Sequence, residues 1–300
     1  MTADPVWDPL GRRAELPLEG VFLPLGFRLS IRTNSPAILE AAAAAFPETE
    51  ELDGDFAPAL LEAIVDEQGS AAEKPPRFRG RGGLISLTAD AENCGAIDVG
   101  SNRIVLWLAA ATLRDAERLR REWLEGPVFT LLSERFLTPI HASCAAREGR
   151  GALLCGPSGA GKSTLALTLA KQGWHFVTDD VAYLLRSDPS VLLGRSRRVR
   201  LKRTCAVQMA DPEELGLRSS WRTTPSALIF LDRGAGRMSL TPIDPAEALR
   251  QLALTLPYCE ARQEQLAALE SLRPLPIFRL RYEQADEAVE LVGRALRHSA

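Results

Sequence analysis

The chain holds 300 residues, 46% of them apolar and 25% charged, a globular composition that excludes a fibrous or intrinsically disordered chain. At this length it buries roughly three quarters of its unfolded surface without disulfide or metal staples, and one large domain or two modest ones are expected. A net charge of −3 and a pI near 5.8 argue against a general nucleic-acid or anionic-membrane binder. The best apolar run, Ile104 to Ala111, covers eight positions, too few to span a bilayer. Met1 to Arg13 shows no basic-then-apolar secretory pattern. The five cysteines (Cys94, Cys144, Cys155, Cys205, Cys259) lack CxxC spacing, and only His141, His175 and His298 accompany them, so no structural zinc site is expected. These bounds predict a soluble, cytoplasmic protein in a reducing compartment.

The first twenty residues hold three prolines and read as an arm. Val21 to Arg32 alternates toward its end like a half-buried strand. Ser35-Pro36 is a helix start, serine at the cap and proline at the first helical position, with an alanine-rich body from Ile38 to Phe46. Ala59 to Asp66 is an apolar run compatible with strand or helix. Phe78 to Thr88 and Cys94 to Trp107 read as two strands around a polar turn, Asp-Ala-Glu-Asn. Thr112 to Phe136 is the longest helical pattern, with Leu113, Leu119, Trp123, Leu124 and Val128 toward one side and a break at Gly126-Pro127. The expected organisation is an arm over 1–20, an α+β domain over 21–136 and a second domain over 137–300.

In that second part His141 to Ala146 and Ala152 to Cys155 are short strands joined by a Glu-Gly-Arg-Gly turn. A glycine-rich loop, a helix and a strand from Trp174 to Thr178 follow, the last closing on Asp179-Asp180. Ala227 to Leu231 is a continuous apolar run, as in a strand buried on both faces. Ala246 to Leu256 is a helix behind Asp244-Pro245. Ile277 to Tyr282 is a strand, and Ala285 to Arg297 an amphipathic helix.

The loop, Gly156-Pro157-Ser158-Gly159-Ala160-Gly161-Lys162-Ser163, satisfies G-x-x-x-x-G-K-[ST] between a strand and a helix. The three glycines let successive backbone N–H groups point at phosphate oxygens. Lys162 sets a point charge on the β- and γ-phosphates, Ser163 offers its hydroxyl to Mg²⁺, and the helix dipole adds to the anion site. Leu165 and Leu169 face the core and Gly173 ends the helix. No N-K-x-D element is present to read guanine, so ATP is the expected nucleotide.

Phosphoryl transfer to a hydroxyl requires a metal-side carboxylate and a base near the acceptor. Asp179 and Asp180 stand 17 and 18 residues after Lys162, and two adjacent carboxylates repel unless a cation neutralises them. Asp232, closing Leu228 to Leu231, is a rival in a Walker B-like position, or simply a turn residue before Arg233-Gly234. Both ends would lie at the carboxyl edge of a sheet, where α/β ligands bind. The doublet is the better candidate.

Residues Ile140 to Leu185, IHASCAAREGRGALLCGPSGAGKSTLALTLAKQGWHFVTDDVAYLL, resemble the catalytic core of the HPr kinase/phosphorylase family and its kinase-only relatives. The likeness rests on a histidine 21 residues before the loop lysine, the loop itself, the Gly-Trp-His step and the Asp-Asp doublet. It continues more weakly through ALIFLDR, PAEALRQL and the terminal IFRLRYEQADEAVELV. The resemblance implies an α/β, phosphoenolpyruvate-carboxykinase-like P-loop core preceded by a smaller α+β domain. It further implies Asp180 as acid/base aspartate, Asp179 beside it as a metal residue with Ser163, His141 in the active site, and ATP with Mg²⁺. Thr164 stands where the bifunctional enzymes carry an acidic residue. Their downstream glutamate-arginine-glycine signature is replaced by Arg195-Ser-Arg-Arg-Val-Arg-Leu-Lys-Arg203, either a solvated strand face or a patch for triphosphate or acidic peptide. His175 and His298 are left as surface or packing residues.

The expected function is an ATP- and Mg²⁺-dependent kinase acting on a serine hydroxyl of a protein or peptide, without phosphorylase activity. Its partner is that acceptor, with no nucleic acid and no membrane, and a homo-oligomer stays open. Two alternatives remain: a small-molecule P-loop kinase, and a catalytically degenerate nucleotide-binding regulatory module.

Overall fold

A computed structural model describes residues 14–47, 49–195, 199–203, 206–257 and 259–297. The chain divides into two compact units, Met1–Arg135 and Phe136–Ala300. No helix among the described residues is long and apolar enough to cross a membrane.

The first unit contains β1 (Leu18–Phe22), β2 (Leu29–Thr33), α1 (Pro36–Ala45), β3 (Ala59–Asp66), β4 (Arg77–Arg81), β5 (Leu84–Thr88), β6 (Cys94–Asp98) and β7 (Arg103–Ala109). A helical stretch follows, with α2 (Ala116–Arg118), a π-helical segment Leu119–Glu125 and α3 (Gly126–Arg135). Its sheet runs β1-β2-β3-β7-β6-β5-β4. In β3, alternation decides the strand that composition left open: Ala59, Leu61, Ala63 and Val65 are buried, and the residues between them are not.

The two long strands read at 78–88 and 94–107 are each a hairpin. Gly82 and Gly83 have φ of 63° and 76°, the left-handed pair that a tight two-residue turn requires, and they fold β4 onto β5. The Asp98 carboxylate accepts from the N–H of Gly100 and Ser101 and turns β6 into β7. Ser35 caps α1 in extended conformation, without a side-chain hydrogen bond. Gly126-Pro127 does not part the helices. The Gly126 N–H bonds back to the Arg121 carbonyl, and the chain passes from π to α geometry with Gly126 in the right-handed region.

The second unit contains β8 (Leu137–Ile140), β9 (Ser143–Arg147), β10 (Arg150–Cys155), α4 (Lys162–Lys171), β11 (His175–Thr178), β12 (Ala182–Leu185) and β13 (Leu192–Gly194). It continues with β14 (Val199–Arg203), β15 (Ala206–Ala210), β16 (Arg222–Arg233), β17 (Ser239–Pro242), α5 (Pro245–Ala253), α6 (Arg262–Glu270), β18 (Ile277–Tyr282) and α7 (Ala285–Arg297). The sheet path is β11-β9-β10-β16-β13-β12-β8, with β18 beside β16 and β17 beside β18; β14 and β15 pair separately. Strands β10, β16 and β18 are mutually parallel through β16.

β16 is buried on both faces, and this is why its sequence is continuously apolar. Leu228 and Phe230 enter one core, with Leu249 and Leu252 of α5 and Leu269 of α6. Ala227, Ile229 and Leu231 enter the other, with Leu165 and Leu169 of α4 and Val292 and Leu296 of α7. Helices therefore cover both faces of the parallel strands. The Asp244 carboxylate caps α5 by accepting the Glu247 N–H at 2.9 Å.

His298, Cys205 and the arm up to residue 13 lie outside the described residues. So does the basic run, apart from Arg195 and the backbone of 199–203.

Candidate nucleotide and phosphoryl-transfer site

β10 delivers the loop to the carboxyl edge of the sheet, and α4 leaves it with Leu165, Ala166 and Leu169 locked in the core. The loop glycines Gly156, Gly159 and Gly161 have φ of 139°, 87° and 93°. Gly161, the N-cap of α4, carries the strongest constraint: a Cβ there would run into the hydroxyl of Tyr282. That tyrosine, only 1% exposed at the end of β18, donates its hydroxyl to the Ala160 carbonyl at 3.1 Å. Burial raises its phenol above the usual range. The loop is thus braced from beneath by a residue 122 positions away in sequence from its acceptor. Pro157, Ser158 and Gly159 form an exposed crest, and Thr164 is exposed on the first turn of α4.

Lys162 is buried, and its ammonium donates to the carbonyls of Gly156 at 2.8 Å and Pro157 at 3.1 Å. Its third neighbour is Nε2 of His141 at 3.1 Å. A lysine ammonium only donates, so Nε2 accepts and the ring proton sits on Nδ1. Nδ1 faces the Asp180 carboxylate at 3.4 Å. The imidazole therefore stands between the loop lysine and the second aspartate. Burial pushes the Lys162 ammonium below the usual lysine range, opposed by Cys155 and by the negative charge of Asp180.

His141 lies not on a strand, as read from sequence, but at a kink between β8 and β9. The Ala142 N–H closes on the Ile140 carbonyl at 2.7 Å and swings the intervening residue out of both ladders. Opposite it, the turn carrying Asp179 and Asp180 is pinned by the Thr178 hydroxyl, which donates to the Val181 carbonyl at 3.0 Å. Ile140 pairs with Ala182 in the β8–β12 ladder, and Cys144 with Thr178 in the β9–β11 ladder. These two segments thus cross the sheet path side by side in opposite directions, and the site residues occupy the crossing. The Ser143 hydroxyl donates to the Asp179 carbonyl at 2.6 Å, and the Ser163 hydroxyl donates to the same oxygen at 3.1 Å.

The structure therefore gathers Lys162, Ser163, His141, Asp179 and Asp180 around one loop. Asp232, at the end of β16, has its carboxylate 4.0 Å from Arg281. His175 pairs within the β11–β9 ladder, away from this group. Sequence reading missed Ser143 and Tyr282. The strand alternation of Ile277 to Tyr282 was visible, but nothing in it says that its last ring reaches the loop.

Among the described residues no group of three or more His, Cys, Asp or Glu side chains is arranged to hold a metal ion. The donors near the loop are hydroxyl and carboxylate oxygens, hard ligands of the kind Mg²⁺ shares with water and phosphate. They fit a magnesium ion that arrives with a nucleotide.

Residues 134–207 match the family model of the HPr Serine kinase C-terminal domain. An HPr kinase/phosphorylase from Geobacter sulfurreducens is 42% identical over 67 residues, 22% of this chain. The match spans only 21% of that relative's length. The solved HPr(Ser) kinase/phosphatase from Coxiella burnetii aligns with 53% of this chain and 94% of its own, at 16% identity and a TM-score of 0.33, a likeness too slight to carry a structural argument. The matched residues of the family model contain His141, the loop and the Asp179-Asp180 turn, so this segment of the chain is similar to the C-terminal domain of HPr kinases.

Proposed function

We propose that this chain is an ATP-dependent kinase that phosphorylates a serine hydroxyl of a protein or peptide. The reading rests above all on the contact series Lys162–His141–Asp180, which links a phosphate-binding lysine to a carboxylate exposed to incoming substrate. The loop N–H groups and Lys162 hold the triphosphate. Asp180 accepts the serine proton while the hydroxyl oxygen bonds to the γ-phosphorus and the bond to the ADP oxygen breaks. His141 keeps its Nδ1 proton toward Asp180 and orients the carboxylate beside the loop. Magnesium, held by Ser163 and Asp179 together with the nucleotide, would neutralise charge on the phosphates.

The relative's printed name joins kinase and phosphorylase activity on HPr. For this chain only the forward reaction is proposed, because Thr164 and the 195–203 run depart from the bifunctional pattern. The test incubates the full chain with labelled ATP, Mg²⁺, HPr, serine-containing peptides and free serine. Transfer to a protein or peptide is expected, falling by about 10²- to 10⁴-fold in Asp180→Asn. Asp232→Asn should cost less than about tenfold, since its carboxylate faces Arg281. Transfer to free serine alone would make the chain a small-molecule kinase. An Asp180→Asn protein as active as the wild type would refute the base assignment.

A further inference from the structure

We propose that Arg233 is a nucleotide-binding residue whose guanidinium holds the α- or β-phosphate, on the flank of the loop opposite the aspartates. The proposal rests on the reading of the loop as an ATP site. Parallel pairing sets Arg233 of β16 beside Tyr282 of β18, so both side chains leave the sheet on one face. That face carries Ala227, Ile229 and Leu231 into the core shared with α4. Arg233 is the next residue in the alternation, exposed just beyond the core's edge.

There its Cδ lies 3.5 Å from where a Cβ on Gly161 would stand, and its charge is felt by the buried phenol of Tyr282. Asp232, on the other face, turns to Arg281 instead. No carboxylate among the described residues stands within ion-pair distance of Arg233. A cation in this place is held against both the positive end of α4 and the Lys162 ammonium. A polyphosphate is the ligand that satisfies all three at once.

The flank fixes which phosphate. His141, Asp179 and Asp180 come from the β8–β9 and β11–β12 connections, and β9 borders β10 on the side away from β16. The transferable γ-phosphate must face those residues. The rest of the nucleotide then leaves across β16 and β18, over Arg233.

Titration of the full chain with ADP and with adenosine, by calorimetry, tests this in the wild type, Arg233→Ala, Arg233→Lys and Lys162→Ala. Arg233→Ala should weaken ADP about 10- to 100-fold, the range for a charge-assisted phosphate contact, and leave adenosine within about twofold. Arg233→Lys should fall between, since it keeps the charge without the fork. Wild-type ADP affinity in Arg233→Ala, with binding lost in Lys162→Ala, would overturn the proposal and leave the loop reading intact. Equal losses for ADP and adenosine would move the guanidinium to the base and overturn it too. No binding by the wild type would sink the loop reading itself. Should Arg233→Ala melt early, Arg233→Lys carries the decision.

Discussion

The contact between Gly161 and Tyr282 can be tested as a coupling. Replacing Gly161 by alanine imposes two costs. A Cβ at φ 93° is strained by about 1–2 kcal/mol. It also collides with the Tyr282 hydroxyl, which must leave the Ala160 carbonyl, at about 1–3 kcal/mol for a poorly solvated acceptor left without its donor. Tyr282→Phe alone removes that hydrogen bond for about 0.5–1.5 kcal/mol and clears the space. With the hydroxyl gone, the nearest ring atom, Cζ, lies 3.6 Å from the new methyl group, an ordinary contact. Gly161→Ala in the Tyr282→Phe background should therefore cost only the backbone strain, and the cycle should show a coupling of about 1–3 kcal/mol, the double variant more stable than the sum. Urea unfolding of the four proteins, with hydrogen exchange of the 156–171 segment to localise the effect, measures it. Additivity within about 0.5 kcal/mol would mean that tyrosine and glycine do not meet and that the loop is not braced from β18.

Lys162 gives a pH signature. Burial lowers its folded-state pKa, so the cost of burying its charge is present in full below that value and disappears as pH rises toward the unfolded value of about 10.5; the stability of wild type relative to Lys162→Met should rise across alkaline pH, and a fall would refute the assignment. Burial pushes the Cys155 thiol up to about 12 and the Cys144 thiol higher still. Both should escape iodoacetamide in the folded chain and react in guanidinium, read by mass spectrometry; modification of either in the folded protein would contradict the packing. In the first unit, buried Asn93 donates to the Ser70 carbonyl and accepts from the Ala109 N–H and the Thr112 hydroxyl. Asn93→Ala should lower unfolding free energy by about 2–4 kcal/mol, and a loss below about 0.5 kcal/mol would remove it as the link between these segments.

What was legible in the sequence was what local chemistry dictates. The loop announces itself because glycine, lysine and serine at fixed spacing have one use between a strand and a helix. Asp244-Pro245 and Ala285 to Arg297 carry their own helix signals, and the structure places both helices there. What remained hidden was long-range. The hairpins β4–β5 and β6–β7 are the exception, since Gly82-Gly83 and the Asp98 turn are short-range signals. His141 was read as a strand residue because a kink of one residue leaves no pattern in its neighbours. Tyr282 and Arg233 look like the end of one apolar strand and the start of a turn. Their meeting beside Gly161 depends on the parallel register of β16 and β18, which no local window contains.

That register also bears on the kind of acceptor. The nucleotide loop is braced on the β18 side by a buried ring, whereas on the other side Asp180 and His141 keep 52% and 38% of their side-chain surface exposed. A kinase for a small alcohol has to enclose its acceptor with its own side chains to keep water from the phosphoryl group. An acceptor hydroxyl carried on a protein or peptide brings its own covering surface, and the site can stay open until it docks. The exposure of Asp180 among the described residues, together with the support under Gly161, suits the proposed acceptor, which would supply half of the closure itself. Free serine offers no such surface, so labelled phosphate should pass to it at least about tenfold more slowly than to a peptide carrying the same hydroxyl, at equal concentration. Equal rates would mean that the open flank plays no part in selecting the acceptor.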